Sequence, residues 1–151
     1  MRNIGLKISL TVIGVFLFAI AAYFLHDGFL HFVLGQFSDL PVIFESRNIA
    51  SVVESRLIFT AVVAMLPLLF LFSHFILKSE KLTIFLAIVA ITLLCGLVML
   101  EFHIYSLRFM AEGQYEYIIS IDDIRASLYL GIGFLLGAIL STAIFSFIFR
   151  N

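Results

Sequence analysis

The sequence predicts an all-α membrane protein with four transmembrane helices, both termini cytoplasmic, and a small periplasmic cap. Three observations carry that prediction. Hydrophobic residues make up 63% of the chain and charged residues only 13%, where soluble domains carry about a quarter charged. The apolar residues fall in four charge-free runs, Ile8 to Leu25, Leu57 to Leu77, Leu82 to Leu100 and Ala126 to Phe149, of 18, 21, 19 and 24 residues. A helix of about 20 residues at about 1.5 Å each covers the roughly 30 Å hydrocarbon layer, so each run is long enough to span. Third, the charges are asymmetric. With the N-terminus inside, the inner ends carry Arg2, Lys7, Lys78, Lys81 and Arg150 against Glu80, whereas the outer loops carry four arginines against nine acids. Basic residues concentrate on the cytoplasmic side of membrane proteins. The spans leave no room for a soluble unit, and residues 1–151 read as a single transmembrane domain.

The first run competes with a secretory signal, because Arg2 and Lys7 precede an apolar stretch containing Ala19-Ile20-Ala21. It is longer than the usual signal core of about 7–15 residues, so a retained span is expected. Beyond it, Phe29, Leu30, Val33 and Phe37 are spaced for one helical face, the pattern of an interfacial helix lying along the membrane surface. Ser38-Asp39-Leu40-Pro41 breaks that helix, and Val42-Ile43-Phe44 reads as a short strand. Ser46 or Asn48 caps the next helix.

Pro67 sits in the middle of the second span, where it removes a backbone donor and predicts a packing kink. Lys78-Ser79-Glu80-Lys81 is the whole inner loop and makes a hairpin of the second and third helices. In the second outer loop, Tyr115, Tyr117, Ile119 and Ile121 alternate with period two, predicting a strand that pairs with the one around Val42 to Phe44. Asp122 or Asp123 caps the last helix, which carries Gly133-xxx-Gly137-xxx-Ser141. Small residues four apart let two helices approach closely, within one chain or between copies.

The chemistry-bearing residues gather where the spans end outside. His26, Asp27, Arg56, Glu101, His103, Tyr105, Arg108 and Arg125 form an expected outer-rim charge cluster. Glu101, Tyr105 and Arg108 share a helical face, and Glu101 is expected to pair with Arg56 or Arg125, or with Arg108 on its own helix. Such a rim reads either as a satisfied ring of ion pairs or as a binding or ion-conducting site. His26 and His31 are five apart and do not share a face, so no metal is expected, and no cofactor is called for. Nucleotide-binding, nucleophile-elbow and zinc-protease motifs are missing. Cys95 is the single cysteine, which excludes an intramolecular disulfide and disulfide-exchange catalysis.

The chain therefore has four spans, a long first outer loop, a tiny inner turn and a second outer loop of about twenty residues before a small-residue helix. From Leu100 to Leu130 an acid at the span end is followed by a β-like loop. This layout resembles the immunity proteins of pore-forming colicins, and also the four-span membrane subunit of the Kiwa phage-defence system. The resemblance is architectural and covers the whole chain. It implies a non-enzymatic bacterial inner-membrane protein acting in defence or immunity. Its partners would be the bilayer and another membrane or periplasmic protein, or further copies of itself, with no nucleic acid. The competing expectation is a proton or cation channel or transporter subunit using Glu101, His103 and the rim charges. A pathway needs polar groups at mid-depth, where the spans offer only Thr60, Thr92, Cys95, Ser141 and Thr142.

Overall fold

The computed structural model describes residues 2–45, 48–77, 82–112, 117–120 and 124–150. Its elements are helix α1 (Arg2–Gly35), strand β1 (Val42–Glu45), helices α2 (Ile49–Ala64), α3 (Leu68–Leu77) and α4 (Leu82–Ala111), strand β2 (Tyr117–Ser120) and helix α5 (Ala126–Arg150). Among the described residues α1, α4 and α5 are each long and apolar enough to cross a membrane, and α2 with α3 makes a fourth crossing if the bent pair is one span. The chain is an all-α, multi-pass membrane protein. The expected inner turn, Lys78 to Lys81, and the caps at Ser46, Asp122 and Asp123 lie outside the described residues.

The helices overrun the charge-free stretches that define them in sequence. α1 is one helix of 34 residues, so Phe29 to Gly35 continues the first span and is not a separate interfacial helix. Gly28 does not stop it, since one glycine costs a helix only about 1 kcal/mol. Burial offsets that cost: Ala22, His26, Val33 and Phe37 follow one stripe and are almost fully buried. α1 then ends at the glycine and proline punctuation from Gly35 to Pro41.

At Pro67 the second crossing bends by 41°. Proline cannot donate to the helix ladder, so the turn before it tightens. Met65 N–H donates to Ala61 and Val62 carbonyls at 3.1 and 3.3 Å, and Leu66 N–H donates to Val63 at 3.1 Å. These local bonds satisfy the backbone where lipid could not. On α1, Gly14 faces the bend, and a Cβ there would lie 3.2 Å from the Pro67 ring. At the start of α2, Asn48 is the cap, its side chain accepting from Ala50 N–H at 3.2 Å.

In space α1 packs on α2, α2 on α5, and α5 most extensively on α4, while α3 touches α1, α4 and α5. The α4–α5 seam is where the small residues act. A Cβ at Gly133 would stand 2.6 Å from Gly96 Cα, and one at Gly137 would stand 2.7 Å from Thr92 Cα. Both distances are below any real contact, so backbone meets backbone. Gly96 in turn receives the ring of Phe134. The Gly133, Gly137 and Ser141 stripe is thus occupied within the chain.

The two strands form a parallel pair, Val42 opposite Tyr117 through Glu45 opposite Ser120. The pairing expected around Val42 to Phe44 is present, with 117–120 as the described part of the partner stretch. Two strands alone are marginal in water. Here Ile119 joins Val33, Phe37, Leu100, Ile104, Leu107 and Ile124 in one buried cluster, so the sheet leans on the ends of α1, α4 and α5.

Gly137→Leu should force the seam open. Overpacking of this kind costs about 1–3 kcal/mol, and a clearly lower melting temperature in detergent is expected. An unchanged melt would mean that the seam is not a tight contact.

Candidate functional site

The polar groups of interest lie at the end of the bundle that carries the sheet, here termed the cap end. On α1 the buried stripe brings His26 inward with no exposed surface, while Asp27, one position on, turns to the rim. His26 reaches across to the neighbouring helices. Its Nε2 lies 3.1 Å from Ser55 Oγ of α2, which lies 3.1 Å from Ser127 Oγ in the first turn of α5. Its Nδ1 lies 3.4 Å from Asp27 Oδ1. A carboxylate only accepts, so in a neutral ring Nδ1–H donates to Asp27 and Nε2 accepts from Ser55, whose oxygen then accepts from Ser127. Three helices are joined by one chain of hydrogen bonds.

At its rim Arg56 donates to Asp27 at 2.5 Å and its guanidinium sits 5.0 Å from the centre of the Tyr23 ring. The order carboxylate, imidazole, hydroxyl is also that of an activated serine. Here the Asp27 contact to Arg56 is much shorter than its contact to His26, and Ser55 is shared with Ser127. The chain has the geometry of a structural tie.

Two further ties complete the cap. Arg108, at the end of α4, donates to the Gln36 carbonyl and to Asp39 Oδ2 at 2.7 Å. This guanidinium, with backbone donation at Asp39 itself, holds the Asp39 carboxyl below its usual value. His103 Nε2–H donates to the Ile124 carbonyl at 2.7 Å, and its ring stacks on Tyr129 with centroids 3.6 Å apart. That pair fixes the entry of the chain into α5.

The eight rim residues therefore divide. His26, Asp27 and Arg56 come together, Arg108 and His103 act at separate places, and Glu101, Tyr105 and Arg125 are exposed. The expected pairing of Glu101 with an arginine is not found: among the described residues it forms no ion pair. The reason is packing order. α2 lies against α1, so Arg56 meets Asp27; α5 stands between α2 and α4, and α4 turns Leu100, Ile104 and Leu107 inward, which leaves Glu101 facing out. Sequence reasoning missed Tyr23, Gln36, Asp39, Ser55 and Ser127. Single serines carry no spacing signal, and Asp39 reads as part of a chain breaker. At the opposite end Lys7 Nζ lies 3.5 Å from His74 Nδ1. Among the described residues no three His, Cys, Asp or Glu side chains converge as metal ligands.

The chain matches no family model, and neither a curated protein nor a solved structure shows significant similarity to it.

Ser127→Ala would take one of two hydrogen bonds from the half-buried Ser55, which keeps its bond to His26, a loss of about 0.5–1.5 kcal/mol. A lowered detergent melting temperature is expected, with Ser127→Thr closer to wild type. Equal stability of all three proteins would remove the tie from the account.

Proposed function

We propose that this chain is a four-span, non-enzymatic protein of the bacterial inner membrane, termini cytoplasmic and cap periplasmic, that works by recognising a protein at its cap. Defence or immunity is the proposed context, following the resemblance in sequence layout to colicin immunity proteins and the Kiwa membrane subunit. One observation carries the reading. α4 has 30 residues, about 45 Å, which exceeds the hydrocarbon layer by roughly 15 Å. On that excess length Phe102, Tyr105 and Phe109 are 69%, 67% and 67% exposed and lie on one face beside Glu101, while Ile104 and Leu107 anchor the opposite face in the cap core. A rigid aromatic face with an acid at its edge is the composition of a protein-binding surface.

The alternative is a proton or cation pathway, and the His26–Ser55–Ser127 chain is the feature that favours it. Deeper in the bundle most hydroxyls are spent on their own helices, Thr11 donating to Lys7, Ser73 to Phe70, and Ser141 and Thr142 to Ala138, while the buried Thr60 and Thr92 hydroxyls have no partner among the described residues. Two neutral hydroxyls do not make the ring of carbonyls or charges that replaces an ion's hydration shell, which supports recognition over conduction.

The test is survival of bacteria expressing the chain when challenged with a panel of pore-forming bacteriocins and phages. Wild type should protect against at least one challenge, and the combined Phe102→Ala, Tyr105→Ala, Phe109→Ala variant should lose protection while still inserting and melting like wild type. Protection retained by that variant would dismiss the aromatic face. No protection, together with proton flux in liposomes that Glu101→Gln abolishes, would establish the pathway instead.

A further inference from the structure

Between the bent pair α2–α3 and α5 runs a groove of about 630 Å³. Its walls are apolar, with Val62, Leu69 and Phe72 on one side and Leu135 and Ile139 on the other. At the cap end it meets a smaller cavity of about 270 Å³, and Ile58 and Leu128 line both. There the chemistry changes abruptly. Ser51, Glu54, Ser55, Arg125 and Ser127 form a polar cup on top of the apolar groove. α5 spans about 37 Å from its start beside Arg125, more than the hydrocarbon layer and less than the roughly 40–45 Å of a whole bilayer. The cup therefore lies at head-group depth when α5 crosses. Arg125 is held at φ 43°, a left-handed conformation that costs a side-chain-bearing residue roughly 1–2 kcal/mol.

We propose that cup and groove together bind one phospholipid whose head carries a phosphate and a primary ammonium, of the ethanolamine type. Charge complementarity selects it. One cation and one acid share the mouth, so the phosphate meets Arg125 while the ammonium donates to Glu54; the serine hydroxyls, already donating within the protein, only line the cup. A glycerol head would bring only neutral hydroxyls to Glu54 and leave the carboxylate without a cation. A quaternary ammonium has no hydrogen to donate and depends on aromatic walls; the one aromatic ring lining the cup, Phe29, is already stacked on Phe59 with centroids 4.6 Å apart. The acyl chains lie along Met65, Leu66 and Leu69 beside the bend and along Leu135 and Ile139 of α5. The lipid would bridge α2 and α5 on the side of the Ser55–Ser127 contact.

The site is tested on the purified full chain, stripped of lipid in detergent and offered dioleoyl lipids with ethanolamine, choline or glycerol heads. Native mass spectrometry and thermal melting are the readouts. The ethanolamine lipid should be retained at one per chain and raise the melting temperature more than either of the others, and free phosphoethanolamine should do neither. Glu54→Gln should erase the preference for ethanolamine over choline. Ile132→Trp, which narrows the groove, should weaken retention of all three lipids. Equal retention of the three lipids, rising with concentration without a plateau, would mean ordinary annular lipid and overturn the proposal. So would a preference that survives Glu54→Gln, or a melting shift reproduced by phosphoethanolamine alone. None of these outcomes depends on protection against a toxin or phage.

Discussion

The rest of the architecture depends on the backbone contact between α4 and α5. In lipid the hydrophobic effect does not drive helices together, so association rests on close packing and on polar contacts. Gly133 and Gly137 let α5 descend onto Cys95, Gly96 and Thr92 of α4, and Ser141 at the same seam is wholly buried. With that pair fixed, α5 offers another side to α2, where Gly131 admits Val62. α1 is then added against α2, with Gly14 shaped to the proline bend. A row of helices built outward from one seam explains why the ends of the row, α1 and α4, meet mainly where α1 continues beyond the first crossing and packs into the cap.

The cap converts that row into a closed unit at one end. Val33 of α1 and Phe37 just after it share a buried cluster with Leu100, Ile104 and Leu107 of α4, and the Arg108 bonds to Gln36 and Asp39 tie the turn that follows α1 to α4 from the rim. The parallel strands follow from this arrangement, because each strand leaves one helix at the cap and leads into the next helix returning. Polar atoms sit where they can be satisfied. His26, wholly enclosed, carries its own chain of partners through Ser55 to Ser127, whereas Glu101, with no ion partner among the described residues, faces outward beside the exposed aromatic face. That contrast separates the residues that hold the cap together from those exposed on its surface.

Much of this was legible in the sequence, for physical reasons that differ by element. Apolar run length reports spans directly, because the hydrocarbon layer imposes a minimum. Pro67 announced its bend because the missing donor has only one consequence in a helix. The Gly133–Gly137–Ser141 spacing announced a close contact, though not that α4 would be the partner. The strand pairing was readable from alternation at Tyr117 and Ile119 and from the β-branched stretch at Val42. The end of α1 was not readable, since His26-Asp27-Gly28 looks like a boundary, and only tertiary burial of Val33 and Phe37 carries the helix through. The partners of the charged groups were the least legible. Pairing depends on which helices are neighbours, and no local pattern around Glu101 or Arg56 encodes that α5 separates α4 from α2.

The central claim, that the small-residue seam is closed within one chain, is open to a direct chemical measurement. Cys95 is the only cysteine, and a Cβ at Gly137 would lie 2.9 Å from its Cβ, shorter than the roughly 3.5–4.5 Å of a disulfide, so the seam must part by about 1 Å to admit the bond. Oxidation of the Gly137→Cys variant in membranes should therefore consume both thiols and leave a protein of monomer mass. A disulfide-linked dimer would contradict the seam and with it the order in which these helices are assembled.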